Sequence, residues 1–392
     1  MQILQIPFSL YNGFMRTILL DIAPKDPKLL AGFSLEDRIS ELEKLVSTYQ
    51  GVVVLQTLQK RDEPDYSTYV GKGKLDEVLN LATELQADTL IIGNILKPRQ
   101  IYAIIQEVEK RKMKLQIWDR VDLILKIFQL HAKTPESKLQ IQLASIKHMW
   151  PRIFGMGMEL DRQGGGGWAA NKGIGETNTE IMRRHLTEME RKIKERIDHY
   201  RRVRTQNRQA RHRSNAFTIG IVGYTNAGKS TLMNALTDKK VLEKDELFAT
   251  LGTTVGKLKL PKEAYTDTEG QFITRSDILI YDTIGFIRDL PPELIDAFSS
   301  TLEESISCEM LLEVVDASDP HWRERIEVTD TILEKIGAKQ KKWYIFNQID
   351  KISAHDLKIL KKDTKIYAPL FVSAKTGIGL EEIKMKLLWE LR

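Results

Sequence analysis

The sequence predicts an α/β chain in three parts. These are a small α/β domain over residues 1–135, a helical hairpin arm with a glycine-rich tip over 136–213, and a second α/β domain over 214–392. Three observations predict it. Short apolar runs bounded by turn residues alternate with helical patterns at both ends of the chain. Between them lie two long helical patterns separated by a stretch, 155–176, with eight glycines in 22 residues. The segment "AFTIGIVGYTNAGKSTLMNAL" (216–236) reads as strand, glycine-rich loop and helix in immediate succession.

In the first part, "GVVVLQTLQ" (51–59) and "ADTLIIGN" (87–94) read as buried strands, and "KLDEVLNLATEL" (74–85) and "PRQIYAIIQEVEKRK" (98–112) as helices, the second opened by Pro98. Gly71, Lys72, Gly73 and Lys74 lack the spacing of a phosphate loop and read as a turn into a helix with exposed lysines; phosphate or RNA contact are the other readings. In the second part, Leu139, Leu143, Ile146 and Trp150 share one helical face, and Pro151 marks the expected end of that helix. After the glycines, Met182, Leu186, Met189, Ile193, Ile197, Tyr200 and Val203 recur at spacings of three and four, which predicts one long amphipathic helix.

Charge and composition narrow the function classes. Residues 177–213 hold twelve Lys/Arg against five Asp/Glu, whereas the rest of the chain holds 47 against 49. One segment therefore supplies the whole basic excess, as a nucleic-acid contact would; a solvated helix face is the plain alternative. The single cysteine, Cys308, excludes a disulfide framework or a cysteine metal site within the chain. No stretch has the apolar length of a membrane span, and the N-terminus lacks a basic region and cleavage site. The expectation is a cytoplasmic protein.

The pattern G-x-x-x-x-G-K-[ST] runs from Gly223 to Ser230. A loop of this kind between strand and helix exposes successive backbone N–H groups to phosphate, with the helix N-terminus behind them. Gly223, Tyr224, Thr225, Asn226, Ala227, Gly228, Lys229, Ser230 and Thr231 are the candidate phosphate-site residues. Lys229 should reach the phosphate oxygens and Ser230 should ligate Mg²⁺. Further on, "DILIYDTIGF" (277–286) is an apolar strand ending in Asp282, Thr283, Ile284 and Gly285. Asp282 can hold Mg²⁺ through its water shell, and Gly285 lets a backbone N–H approach a γ-phosphate.

The base is read from two later strands. "WYIFNQID" (343–350) ends in Asn347, Gln348, Ile349 and Asp350, and the Asp350 carboxylate can accept from both N1–H and N2–H₂ of guanine. Adenine offers no such pair of donors. "FVSAKTG" (371–377) presents Ser373, Ala374 and Lys375, whose backbone N–H can meet the guanine O6. GTP is favoured over ATP.

Phosphate loop, D-T-x-G, N-x-x-D and S-A-K in this order resemble a Ras-like P-loop GTPase (G) domain of the translation-factor-related class. With "LFATLGTT", "YDTIGFIRDLP", "LDRQGGGG…GETNTEIMRR" and "YVGKGKLDEV", the chain is similar to the HflX family of ribosome-associated GTPases. That resemblance implies a first switch over Phe248, Ala249, Thr250, Leu251 and Gly252, with Thr250 joining Ser230 around Mg²⁺. Thr253 and Thr254 are rivals for that role. It also implies a protein whose arm reaches into the large ribosomal subunit and its rRNA, splitting or rescuing stalled ribosomes; a monomer is the separate expectation. The chain departs from the family at Gln348, where a lysine is usual, and in the tip sequence "GGGGWAANKGIGE".

Phe286 follows Gly285, where Ras-like enzymes place a water-orienting Gln, so slow intrinsic hydrolysis is expected. A partner that orders the switches would raise it; the other route is K⁺ ligated by Asn226, itself a plain capping residue in the simpler reading. Catalysis is expected of Lys229, Thr250, Gly285 and Asn226. Arg183, Arg184, Arg201, Arg202, Arg204 and Arg208 suit backbone phosphate contacts, and Arg162, Gln163 and Trp168 suit insertion into folded RNA. A large-subunit assembly factor and a nucleotide-gated RNA-binding module are the alternative functions.

Overall fold

The computed structural model describes residues 14–25, 34–132, 134–163, 178–213, 216–237, 248, 254–258, 278–283, 285–288, 294 and 307–390. The chain forms two compact units, residues 1–130 with 138–197, and residues 131–137 with 198–392.

The first unit carries a four-stranded sheet in the order β2-β1-β3-β4. Its strands are β1 (Met15–Ala23), β2 (Gly51–Lys60), β3 (Thr89–Ile92) and β4 (Gln116–Asp119), and every pairing is parallel. Parallel neighbours need crossover helices, which α1 (Leu35–Thr48), α2 (Lys72–Glu84) and α3 (Pro98–Lys110) supply. Ser34 starts α1 by a reciprocal cap with Asp37. Ile18, Leu20, Leu55, Leu75, Leu79, Leu90, Ile101 and Ile104 form one apolar core. Gly71 caps α2, so Lys72, Gly73 and Lys74 open a helix, and Lys74 pairs with Glu77 at 3.0 Å.

Two long helices follow α4 (Arg120–His131): α5 (Pro135–Gln163) and α6 (Asn178–Arg213). Here the structure corrects the sequence reading. The first of them passes through Pro151 and runs to Gln163, so the loop expected from Gly155 does not begin there. The residues 156–163 between the dense glycines and Pro151 are mostly good helix formers, with Gly157 the lone glycine among them, and a proline inside a helix forfeits one hydrogen bond without ending it when its neighbours hold. On α6 the expected apolar stripe is buried at Leu186 and Ile193, while Met182, Met189 and Val203 are exposed.

An ion network ties α5 to the end of β4 and the start of α4. Arg152 reaches Asp119 at 2.5 Å and Asp122 at 2.8 Å, and His148 Nε2 stands 3.3 and 3.4 Å from the same two carboxylates. Asp119, Asp122 and His148 are close enough to share a metal ion, but the Arg152 guanidinium already spans both acids. Burial opposes the His148 charge, yet the two carboxylates outweigh it and raise its pKa from 6.5 to about 9. A pKa raised by folding stabilises the fold fully below the unfolded value, and that contribution is lost as pH climbs through 9. Thermal unfolding should therefore show stability falling between pH 6.5 and 9 through this network. In His148→Gln that part of the slope should vanish, and the stability at pH 6 should drop; an unchanged pH profile would refute the assignment.

The second unit holds a six-stranded sheet in the order β10-β9-β8-β5-β7-β6. Its strands are β5 (Phe217–Val222), β6 (Thr254–Lys257), β7 (Ile278–Asp282), β8 (Met310–Asp316), β9 (Lys341–Asn347) and β10 (Leu370–Phe371). All pairings are parallel except that of β6 with β7. Ile219, Ile221, Leu232, Ile280, Leu312, Ile345, Val372 and Ile383 pack its core, together with α7 (Lys229–Leu236) and α10 (Leu380–Glu390). Between them in the chain come α8 (Trp322–Lys335) and α9 (Ala354–Asp363). Among the described residues, no helix is long and apolar enough to cross a membrane.

Candidate nucleotide site

Open α/β sheets bind ligands beyond the carboxyl ends of their strands, where the strand order reverses. In this sheet that place is the end of β5, flanked by β7 on one side and β8 on the other. Gly223 follows β5 with φ +139, and a Cβ there would stand 2.3 Å from the Val314 carbonyl oxygen on β8. Only glycine lets the chain turn so close to a neighbouring strand. Gly228, at φ +86, then caps α7.

Within this loop, Lys229 is almost fully buried and its Nζ donates to the Tyr224 carbonyl at 2.7 Å. Burial lowers its pKa from 10.5 to about 8, opposed by the Asp282 carboxylate. The Ser230 hydroxyl donates to Asp282 Oδ2 at 2.7 Å, so helix start and strand end present two hard oxygen ligands side by side. That donor set fits Mg²⁺. Thr231 lies half-buried in the first turn of α7.

The segment after β7 is zipped to the phosphate loop. Thr225 N–H donates to the Phe286 carbonyl at 2.7 Å, and Phe286 N–H donates to the Gly223 carbonyl at 3.1 Å. Gly285 sits inside this zipper, where a Cβ would stand 2.9 Å from Lys229 Nζ and 2.9 Å from Thr225 Cα. The Phe286 ring is buried, so it has no path to a water at the phosphates. Thr283 turns its hydroxyl to the Ile221 carbonyl at 2.7 Å, serving the sheet rather than facing the loop.

The base-side motifs also converge. Asn347 donates to the Ala227 carbonyl at 3.0 Å and accepts from Ala374 N–H at 2.9 Å. Asn347 thus links the phosphate loop to the stretch 373–375, whose backbone N–H groups the sequence offers to a guanine O6. Ser373 donates to Asp350 Oδ1 at 2.6 Å and aims that exposed carboxylate. Ile349 opens a short 3₁₀ turn that carries Asp350 beyond the strand, and Lys375 is exposed. Asn226 is exposed with φ 66, and Phe248 is buried with φ 59.

Sequence reading missed two contacts that hold the loop from behind. The Tyr224 hydroxyl accepts from Arg288 N–H at 3.0 Å, and the Arg325 guanidinium lies 4.1 Å over the Tyr224 ring. No motif announces them, because both partners are far along the chain. Ala249, Thr250, Leu251, Gly252, Thr253 and Ile284 lie outside the described residues, and Thr254 pairs with Asp282 across β6 and β7. On the arm, Arg183, Arg184, Arg201 and Arg202 are exposed, and Trp168 lies outside the described residues. Of Arg162, Gln163, Arg204 and Arg208 only the helical backbone is described.

A phosphate loop at a switch point, an Asp at the end of the neighbouring strand and an Asn/Asp pair beyond a third define a P-loop GTPase. Family comparison agrees: residues 36–129 match a family described as GTP-binding GTPase N-terminal, 131–211 one described as GTP-binding GTPase Middle Region, and 218–348 one described as 50S ribosome-binding GTPase. GTPase HflX of Alkalihalophilus pseudofirmus is 39% identical over 90% of this chain and 78% of its own, and that of Escherichia coli is 34% identical over 96% and 83%. The chain belongs to the HflX family of GTPases. Among solved structures, that of SsGBP in complex with GDP superposes with a TM-score of 0.52 at 27% identity, covering 96% of this chain and 98% of that one. GTP is accordingly the substrate, and Mg²⁺ the usual metal of such enzymes.

Proposed function

We propose that this GTPase acts on the large ribosomal subunit, binding it in the GTP form and splitting or rescuing stalled ribosomes. The observation that carries the reading is the match of residues 218–348 to a family described as 50S ribosome-binding. The exposed Arg183, Arg184, Arg201 and Arg202 on α6 support it, since guanidinium groups on one long helix suit an RNA backbone. In this reading Lys229 holds the phosphates, while Asn347 and Asp350 hold guanine. Ser230 and Asp282 would hold Mg²⁺, which would neutralise charge on the phosphate oxygens.

The buried Phe286 favours a partner-stimulated enzyme, because a phenylalanine at that position cannot orient the attacking water. Asn226, exposed at the lip of the loop, is the residue to which a K⁺ would bind if an ion supplies part of that stimulation. Sucrose-gradient profiles test the ribosomal role. With a non-hydrolysable GTP analogue, the protein should co-sediment with large subunits and convert mature ribosomes into subunits. Binding without splitting would favour an assembly factor, and no association would remove the ribosomal reading.

A further inference from the structure

The strand that delivers guanine recognition also grips the phosphate loop, and it does so with two adjacent side chains. Asn347 Nδ2 donates to the Ala227 carbonyl, and Gln348 Nε2 donates to the carbonyl of the preceding residue, Asn226, each at 3.0 Å. The residues at both ends of the second bond have an unusual backbone. Gln348 has φ 65 and Asn226 has φ 66, a left-handed conformation that non-glycine residues seldom adopt. The two segments approach so closely that a Cβ on Gly228 would stand 2.3 Å from Asn347 Nδ2 and 3.8 Å from Gln348 Nε2.

We propose that Gln348 is a positioning residue that sets how long guanine nucleotide stays bound. A nucleotide lying across both segments would leave faster when the base strand and the phosphate loop part. Two bonds oppose that opening. Both bonds are neutral, but the Asn347 bond is buried, whereas the Gln348 bond is exposed to water. An ammonium in place of the carboxamide would make a charge-assisted bond to the same carbonyl, roughly twice as strong. With glutamine there, the loop is latched weakly and nucleotide exchange is quick. The inference rests on the placement of Asn347 and Asp350 at the base, and it is independent of the ribosome.

The test is the release rate of fluorescent GDP from the full chain with Mg²⁺, chased by unlabelled GDP without ribosomes. Gln348→Lys should slow release about fivefold, and Gln348→Ala should speed it about fivefold, as expected for gaining or losing a bond of this class. Gln348→Glu, the same shape with an acceptor facing the carbonyl, should release fastest of all. Gln348→Met keeps the stem without the donor and should behave like the alanine variant. Preference for guanine over hypoxanthine nucleotide should be the same in all of them, because Asp350 reads the base. Release as slow in Gln348→Met as in Gln348→Lys would overturn the proposal in favour of stem packing on the base. Equal rates across the set would overturn it outright. Asp350→Asn checks the underlying reading: if it leaves GDP binding intact, the base site is misplaced and the proposal falls with it. If it abolishes binding while the Gln348 variants match the parent, the proposal alone fails.

Discussion

Lys229→Met is expected to abolish nucleotide binding and turnover while leaving the nucleotide-free protein at least as stable as the parent. Lys229 is buried against the Tyr224 carbonyl, and burial brings its pKa down to about 8. Such a shift means that the charged form is about 3 kcal/mol less favourable there than in water. Methionine fills similar volume without that penalty, so stability should hold or rise. In the proposed site, what is lost is the fixed positive charge that would meet phosphate, and turnover should fall at least about a hundredfold. Differential scanning fluorimetry with and without GDP separates the two effects. Midpoint retained with no GDP-induced rise is the expected pattern; a GDP-induced rise equal to the parent's would contradict it.

Gly285→Ala should shift the balance between GTP and GDP. Its added methyl would press on the Thr225 backbone and on Lys229 Nζ, so the zipper between the phosphate loop and Phe286 has to open. In the proposed site the Gly285 N–H meets the γ-phosphate, a group GDP lacks. Losing a hydrogen bond to a charged group corresponds to about a ten- to hundredfold loss in affinity. Calorimetric titration should show GTP-analogue binding weakened by that much more than GDP binding. Equal weakening of both would mean that Gly285 serves only the packing of the loop.

Much of the candidate site is legible in the sequence, because phosphate and guanine chemistry demand particular residues in a particular order. Gly223, Lys229, Ser230, Asp282, Asn347 and Asp350 each have a chemical reason to stand where they do, and the folded chain brings them to the strand ends. The expected strands at 51–59 and 87–94 appear as β2 and β3. By contrast, the sequence carries no decisive signal for β1, β4 and α1, since a short apolar run such as "RTILLDIA" fits strand or buried helix equally well. Pro151 by itself signals a helix end, but α5 continues through it, with Arg152 and His148 paired to Asp119 and Asp122. Contacts between remote residues carry no local signal at all. Gln348 and Asn226 stand 122 positions apart, and Gln348 was legible only as a departure from a lysine, not as a latch.

With a buried phenylalanine after Gly285, the proposed ribosomal enzyme should need its partner for speed. The direct measurement is steady-state GTP turnover in K⁺ and in Na⁺ buffer, with and without purified large ribosomal subunits, beside Lys229→Met. Turnover should be slow alone and strongly stimulated by the subunits, with none in the variant. Turnover that is fast alone, or unchanged by subunits while GTP still binds, would contradict it.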